Sequence, residues 1–268
     1  MNRNRVKRDN ALKKELLAVE KQEMKTKQAA LKARPVVWKG QLESKIPAKV
    51  YNGLESAFCK GFSVVFQQGR GIIEKSYRKE DILTDYEIRD YAVQMKGGRK
   101  ELRQMHKSAK QSDVLHLAVT TVEGIGLGAL GIGLPDIVLF LGTLLKGIYE
   151  TALNYGYDYN CRQEQLLILK MMAASLSSGE DWCACNAQVD AMLAGDIPVI
   201  TEEEWKDQIK KTASVFAMDM LLLKFIQGVP VVGILGGVAN PFYYRKIMKY
   251  VQLKYRKRYL HRVKMKQW

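Results

Sequence analysis

Apolar residues return every three or four positions over most of this chain, and sustained alternation is rare, so the pattern predicts an all-α protein. From Ile46-Pro47 to Tyr77, the positions Val50, Leu54, Phe58, Phe62, Val65, Phe66, Ile72 and Ile73 predict a helix opened by proline and bent near Gly69 and Gly71. Asp81 to Met95 and Lys100 to Lys110 predict two more helices around a Gly97-Gly98 break. Residues 161–176 read as nearly continuous core behind a capping-box-like start at Asn160 and Gln163. Thr201 with Glu204 predicts a second capping box, opening a helix through Trp205, Ile209, Val215, Met218, Leu222 and Phe225. A short helix is expected between the loops at 177–181 and 195–198. At the start of the chain, Ala11 to Ala33 is rich in strong helix formers until Pro35 stops it.

Two segments depart from this amphipathic pattern. Leu127 to Leu145 has one charge in 19 residues, and Phe225 to Tyr244 has none in 20. Both reach the ~17–25 residues of a bilayer span. Pro135-Asp136 interrupts the first, and Pro230 and Asn240-Pro241 interrupt the second. A charge at the bilayer centre costs roughly 2.5–3.5 kcal/mol, and proline inside a segment breaks or kinks a helix. Each therefore reads as an apolar helix–break–helix unit, buried in a bundle or dipping into a bilayer. Gly124 with Gly128 and Gly233 with Gly237 are the candidate helix-packing glycines. The expected fold is a multi-helix bundle with these two units and basic amphipathic helices at its ends.

Charge sharpens the picture. The 268 residues carry 43 Lys and Arg against 28 Asp and Glu, a formal net charge of +15. Residues 1–34 hold 11 of the cations and 4 acids, whereas residues 245–268 hold 10 cations and no acid. Such a surplus attracts polyanions, meaning an anionic membrane surface or nucleic acid. Residues 1–34 are read as a basic helical arm ahead of one all-α domain over 35–268. No apolar stretch of the ~7–15 residues of a signal peptide follows the first basic cluster. From Tyr244 onward, Met248, Val251, Tyr255, Tyr259 and Val263 share one helical face and the cations the other, the pattern of a helix lying on anionic lipid. The candidate lipid or anion contacts are Arg245, Lys246, Lys249, Lys254, Arg256, Lys257, Arg258 and Arg262. The 4 Cys exclude a disulfide framework of the small secreted kind and point to a reducing compartment.

Motifs that name a reaction are missing. Gly126, Gly128 and Gly131 match G-x-G-x-x-G, but Pro135 interrupts the helix that would follow and no βαβ alternation appears, so no cofactor is expected. Cys183-Ala-Cys185 lacks two further ligands, so no metal site is expected either. Asp136, Tyr157, Asp158, Glu164 and Asn240 lie near the two apolar units and form the candidate functional interior. Carboxylates that converge in a low-dielectric pocket act as acids, bases or metal ligands; held apart, they cap helices or pair with cations.

The stretch from Gly131 to Asn160 (GIGLPDIVLFLGTLLKGIYETALNYGYDYN), Glu164 in CRQEQLLIL, and the later GVPVVGILGGVANPFYYRKIMKYV with its basic helix resemble the bacterial EcsC-like family. The resemblance covers roughly residues 45–260 and leaves the basic N-terminal helix outside. It implies association with the cell envelope, through a gene that accompanies an ATP-driven transporter linked to protein secretion, and it carries no catalytic residues. The expectation is a membrane-associated accessory or interaction protein at the cytoplasmic face, peripheral to or partly inserted in the membrane. Its partners would be anionic lipid and a transporter or other envelope protein. The competing class is a soluble helical enzyme whose buried carboxylates hold a metal or a small polar ligand. A third, nucleic-acid binding through the basic termini, is held below these, since two apolar glycine-rich units have no use in such a binder.

Overall fold

The computed structural model describes residues 2–32, 46–111, 134–195, 199–227 and 239–266. These residues form helices joined by turns, with no strand among them, as the periodicity predicts. In chain order they are α1 (Asn2–Lys32), α2 (Ala48–Val64), which runs through a π-turn (Val65–Gly69) into α3 (Arg70–Lys75), α4 (Lys79–Lys96) and α5 (Arg99–Gln111). Then come α6 (Leu134–Asn154), α7 (Arg162–Leu176), α8 (Gly179–Ala194), α9 (Glu202–Gln227) and α10 (Ala239–Lys266).

Local chemistry sets most of the boundaries. Pro47 is the N-cap of α2, and its carbonyl accepts hydrogen bonds from the backbone N–H of Val50 at 2.9 Å and Tyr51 at 3.2 Å. The bend expected near Gly69 is the π-turn, a form used in short pieces inside helices. Gly97 closes α4 at φ 57°, a left-handed conformation that glycine adopts without penalty. The Thr201 capping box is reciprocal: Glu204 N–H donates to Thr201 Oγ1 at 3.2 Å and Thr201 N–H donates to Glu204 Oε2 at 2.8 Å. The expected box at Asn160 does not form. Asn160 N–H is taken by Asp158 Oδ1 at 3.0 Å, which holds it in a turn, and Cys161 becomes the N-cap of α7 with no side-chain bond.

The core lies where α6 and α7 run between the other helices. α6 packs on α2, α3, α4, α5 and α10, while α7 packs on α8, α9 and α10. Phe58, Phe62 and Phe66 of α2 and its π-turn meet Phe216 and Trp205 of α9, with Phe216 centroids 5.3 and 5.5 Å from Phe58 and Phe62. Phe140 of α6 closes the cluster against Phe216. Gly61 admits α6 at close range, since a Cβ there would stand 2.8 Å from Ile137 Cγ2.

The second half of the first apolar segment is therefore core: Ile137, Val138, Phe140, Leu141, Leu144 and Leu145 are all buried in α6. Among the described residues no helix is long and apolar enough to cross a membrane. Gly124, Gly128, Gly233 and Gly237 lie outside the described residues. The N-terminal helix, read from the sequence as a basic arm ahead of the domain, packs on the bundle. Ala11, Leu12, Glu15 and Val19 are buried, and α1 packs along α5, α8 and α10. The reason is that Ala11, Glu15 and Val19 recur four apart with Leu12 beside them, an inward stripe that the surrounding lysines mask in the sequence.

Truncating Phe216, which touches three rings from two other helices, removes the centre of this cluster. We expect Phe216→Ala to lower stability by about 3–5 kcal/mol, read as a fall in the denaturant midpoint.

Candidate functional site

α10 enters the bundle with cations on several sides, and none of its described residues is acidic, so their partners come from other helices. Lys254 is 1% exposed; its Nζ donates to Glu23 Oε1 of α1 at 2.6 Å and to Asp190 Oδ1 of α8 at 2.9 Å. Lys257 reaches the same two carboxylates at 2.9 and 3.0 Å. Arg256 donates to Glu15 Oε2 at 2.6 Å, and Arg99 and Arg103 of α5 close on the other oxygen at 2.8 and 3.2 Å. Burial pushes the Glu15 carboxyl up, but the Arg99 hydrogen bond with the Arg256 and Arg103 charges outweighs it, and the net shift is downward.

A second knot holds the tyrosines. Arg258 donates to both oxygens of Glu164, at 2.9 and 2.7 Å, and Tyr255 OH donates to Glu164 Oε1 at 2.7 Å. The Arg258 and Arg262 guanidinium carbons lie 4.0 and 4.6 Å from the Tyr157 ring centroid. Arg262 also donates to the carbonyls of Tyr155 at 2.7 Å and Gly156 at 3.3 Å, which end α6. Gly156 turns the chain at φ 71°, with the Tyr86 ring against its Cα. Burial pushes the Tyr157 phenol up to about 12, and its hydroxyl meets no hydrogen-bond partner among the described residues. Tyr157 thus contributes a ring face to two arginines. The turn from Tyr155 to Tyr157 works as a clasp between the end of α6 and α10.

Of the candidate interior, the structure brings Tyr157 and Glu164 together through Arg258. Asp136 is exposed in the first turn of α6, and Asp158 is exposed in the turn that holds Asn160. Asn240 is the second residue of α10. Among the described residues no group of three His, Cys, Asp or Glu stands close enough to hold a metal ion. Of the candidate lipid contacts, Lys254, Arg256, Lys257, Arg258 and Arg262 are spent on these internal contacts. The apolar face expected on α10 is buried, but the opposite side is buried against carboxylates as well. Lys246 faces Asp219 at 3.5 Å, and Arg245 and Lys249 are exposed.

Two surface features escaped the sequence reading. The first is the outer face of α1, where Val6, Leu17, Met24 and Leu31 are 51%, 53%, 61% and 50% exposed. At 100° per residue they fall within roughly 40° of one another, opposite the buried stripe. Exposed Lys14, Lys21, Lys25 and Lys32 run along one side of them; Lys13 falls within the row, and the other side holds Lys27 with Asp9 and Glu20. The seven-residue spacing of Leu17, Met24 and Leu31 was a signal in the sequence, hidden by the inward stripe on the same helix. The second is a cleft of about 1300 Å³ between α1, α7, α8, α9 and α10.

An all-α bundle threaded by a cationic helix, with its charges met by carboxylates from neighbouring helices, is the class this architecture defines. The chain belongs to the EcsC protein family, whose model matches residues 10–260. The match begins inside α1, in keeping with the packing of that helix on the bundle, whereas the resemblance read from the sequence began near residue 45. No curated protein and no solved structure matches the chain.

Replacing Glu15 by Gln strands Arg256 in the interior. We expect Glu15→Gln to cost about 3–5 kcal/mol in chemical denaturation. His106 donates to or accepts from Tyr155 OH at 3.0 Å, and burial followed by the Arg256 and Lys110 charges pushes its pKa down from 6.5 to about 4. The unfolded chain then binds the proton that the folded chain refuses, so stability falls as pH drops from about 6.5 towards 4, by up to about 1.4 kcal/mol per pH unit. His106→Asn should flatten that part of the stability–pH curve relative to the wild type.

Proposed function

We propose that this protein is a peripheral accessory component that docks on the anionic cytoplasmic face of a membrane through the outer face of α1, in the service of envelope transport or homeostasis. The observation that carries the reading is the exposed row of Val6, Leu17, Met24 and Leu31, with Lys14, Lys21, Lys25 and Lys32 along one side of it. An apolar ridge bordered by lysines suits the boundary between acyl chains and anionic headgroups, where each Lys near the surface contributes about 1 kcal/mol.

Charge also argues for lipid over a second copy of the chain. The exposed residues of α1 include Lys7, Lys13, Lys14, Lys21, Lys25, Lys27 and Lys32 against Asp9 and Glu20, so two such faces repel. A groove beside the same helix, lined by Lys7, Arg8, Lys14, Lys96 and Arg99 and by no carboxylate, adds to the attraction for anions. Of the cations that the sequence nominates for this role on the C-terminal helix, Arg245 and Lys249 are exposed. The envelope link rests on the family resemblance.

Sedimentation with vesicles tests the reading. The protein should pellet with equal parts phosphatidylglycerol and phosphatidylcholine in dilute buffer, release in high salt, and ignore pure phosphatidylcholine. Leu17→Ser, Met24→Ser and Leu31→Ser together change only exposed positions and should abolish pelleting while the circular dichroism stays helical. Wild type left in the supernatant, or a folded triple variant that pellets like wild type, overturns the proposal.

A further inference from the structure

The cleft between α1, α7, α8, α9 and α10 is divided by chemistry. Its buried and half-buried walls carry Leu176, Trp182, Val215, Met218, Leu222 and Leu223. Polar side chains occur among them, but several already have a protein partner. Ser175 Oγ donates to the Met172 carbonyl at 2.6 Å and Ser177 Oγ to the Ala173 carbonyl at 2.9 Å. Gln208 donates to Thr212 at 3.1 Å, Tyr250 OH to Asn186 at 2.7 Å, and Ser214 OH to Glu55. These groups are committed to the protein, so the cleft offers its occupant mainly apolar surface. A small polar substrate would lose its hydration there with little in return.

The exposed part of the lining is different. It holds Lys25 of α1, Lys211 of α9, and Arg245 and Lys249 of α10, against the single exposed carboxylate Asp181; the remaining acid, Asp219, is paired with Lys246. Four cations from three helices around an apolar hollow match a molecule with an anionic head and a hydrocarbon body. The volume of about 1300 Å³ exceeds the ~300–1,000 Å³ of ordinary small-molecule pockets, which suits a two-chain lipid. Lys25 belongs both to this opening and to the lysine border of the outer face of α1, so the opening lies beside that face.

From the apolar walls and the cationic opening, we propose that the cleft binds one anionic glycerophospholipid, with its acyl chains against Trp182, Val215, Met218 and Leu222 and its phosphate among Lys25, Lys211, Arg245 and Lys249. The proposal deepens the membrane reading and rests on it for the source of the lipid. It adds a separate event: the bilayer is what α1 touches, and a single lipid is what the cleft takes up.

The test uses the full chain and a phosphatidylglycerol with one short pyrene-labelled chain, kept monomeric, so that uptake does not depend on vesicles. We expect saturable uptake of one probe per protein and much weaker uptake of the matching phosphatidylcholine. Lys211→Glu with Lys249→Glu, both at exposed positions, should weaken uptake roughly tenfold or more, and Val215→Trp should reduce it by occupying the wall. Circular dichroism establishes that each variant is folded. No uptake by the wild type, equal uptake of the neutral probe, or wild-type uptake by the folded charge-reversed variant overturns the proposal. The two readings fail separately: vesicle pelleting without probe uptake removes the cleft site alone, and probe uptake without pelleting removes the docking role of α1.

Discussion

A buried charge has to be answered, and that requirement organises this bundle. α10 brings Lys254 and Arg256 into the interior and has no carboxylate of its own among its described residues. The answers come from Glu15 and Glu23 of α1, Glu164 of α7 and Asp190 of α8, each within hydrogen-bond distance of a cation on α10. Hydrophobic burial is non-directional and would tolerate several arrangements of helices. An ion pair with donors at 2.6 to 2.9 Å tolerates few, because a shifted helix leaves a charge unpaired in a medium of low dielectric. In this chain the apolar surfaces supply most of the driving force, and the charges on α10 select which helix lies beside which.

The same pairing redistributes the protein's electrostatics. Ten of the cations stand in the last 24 residues, where the sequence places the strongest positive field. Five of those ten spend their charge inside on Glu15, Glu23, Asp190, Glu164, tyrosine rings and the carbonyl end of α6. Exposed cations remain along α1 and at the opening of the cleft. An exposed apolar ridge and an apolar hollow then lie beside lysines that neutral neighbours would not require, and this places the interest of the molecule on the α1 side of the bundle.

The aromatic residues serve the same framework. Tyr255 and Tyr259 donate to Glu164 and Asp90, each at 2.7 Å, so that the carboxylates are held from more than one side. Tyr149 and Tyr159 stack at 4.0 Å, and Tyr159 OH goes on to Glu74 at 2.9 Å, tying α3 to the turn after α6. A phenol in such a place fills space like a hydrocarbon and still brings one donor to a buried acceptor. This explains why Tyr157, a candidate for the functional interior in the sequence, is found fastening one helix end.

By itself the sequence determined the all-α class, the Gly97 break, the Thr201–Glu204 capping box and a nearly continuous core within 161–176, because each is written in the pattern of residues three and four apart. What it left undetermined was which cations face solvent. A helix carrying Tyr255, Tyr259 and ten basic residues has the same periodicity on a membrane as inside a bundle of carboxylates, and the difference lies in Glu15, Glu164 and Asp190, which are 241, 94 and 67 positions away from the cations they meet. α1 shows the converse: its lysines announced an arm, while its inward stripe and outward ridge became distinguishable only once the bundle supplied an inside. Local propensity is written in neighbouring residues, but the sign of a surface is decided by which distant side chains cancel, and only the assembled helices decide that.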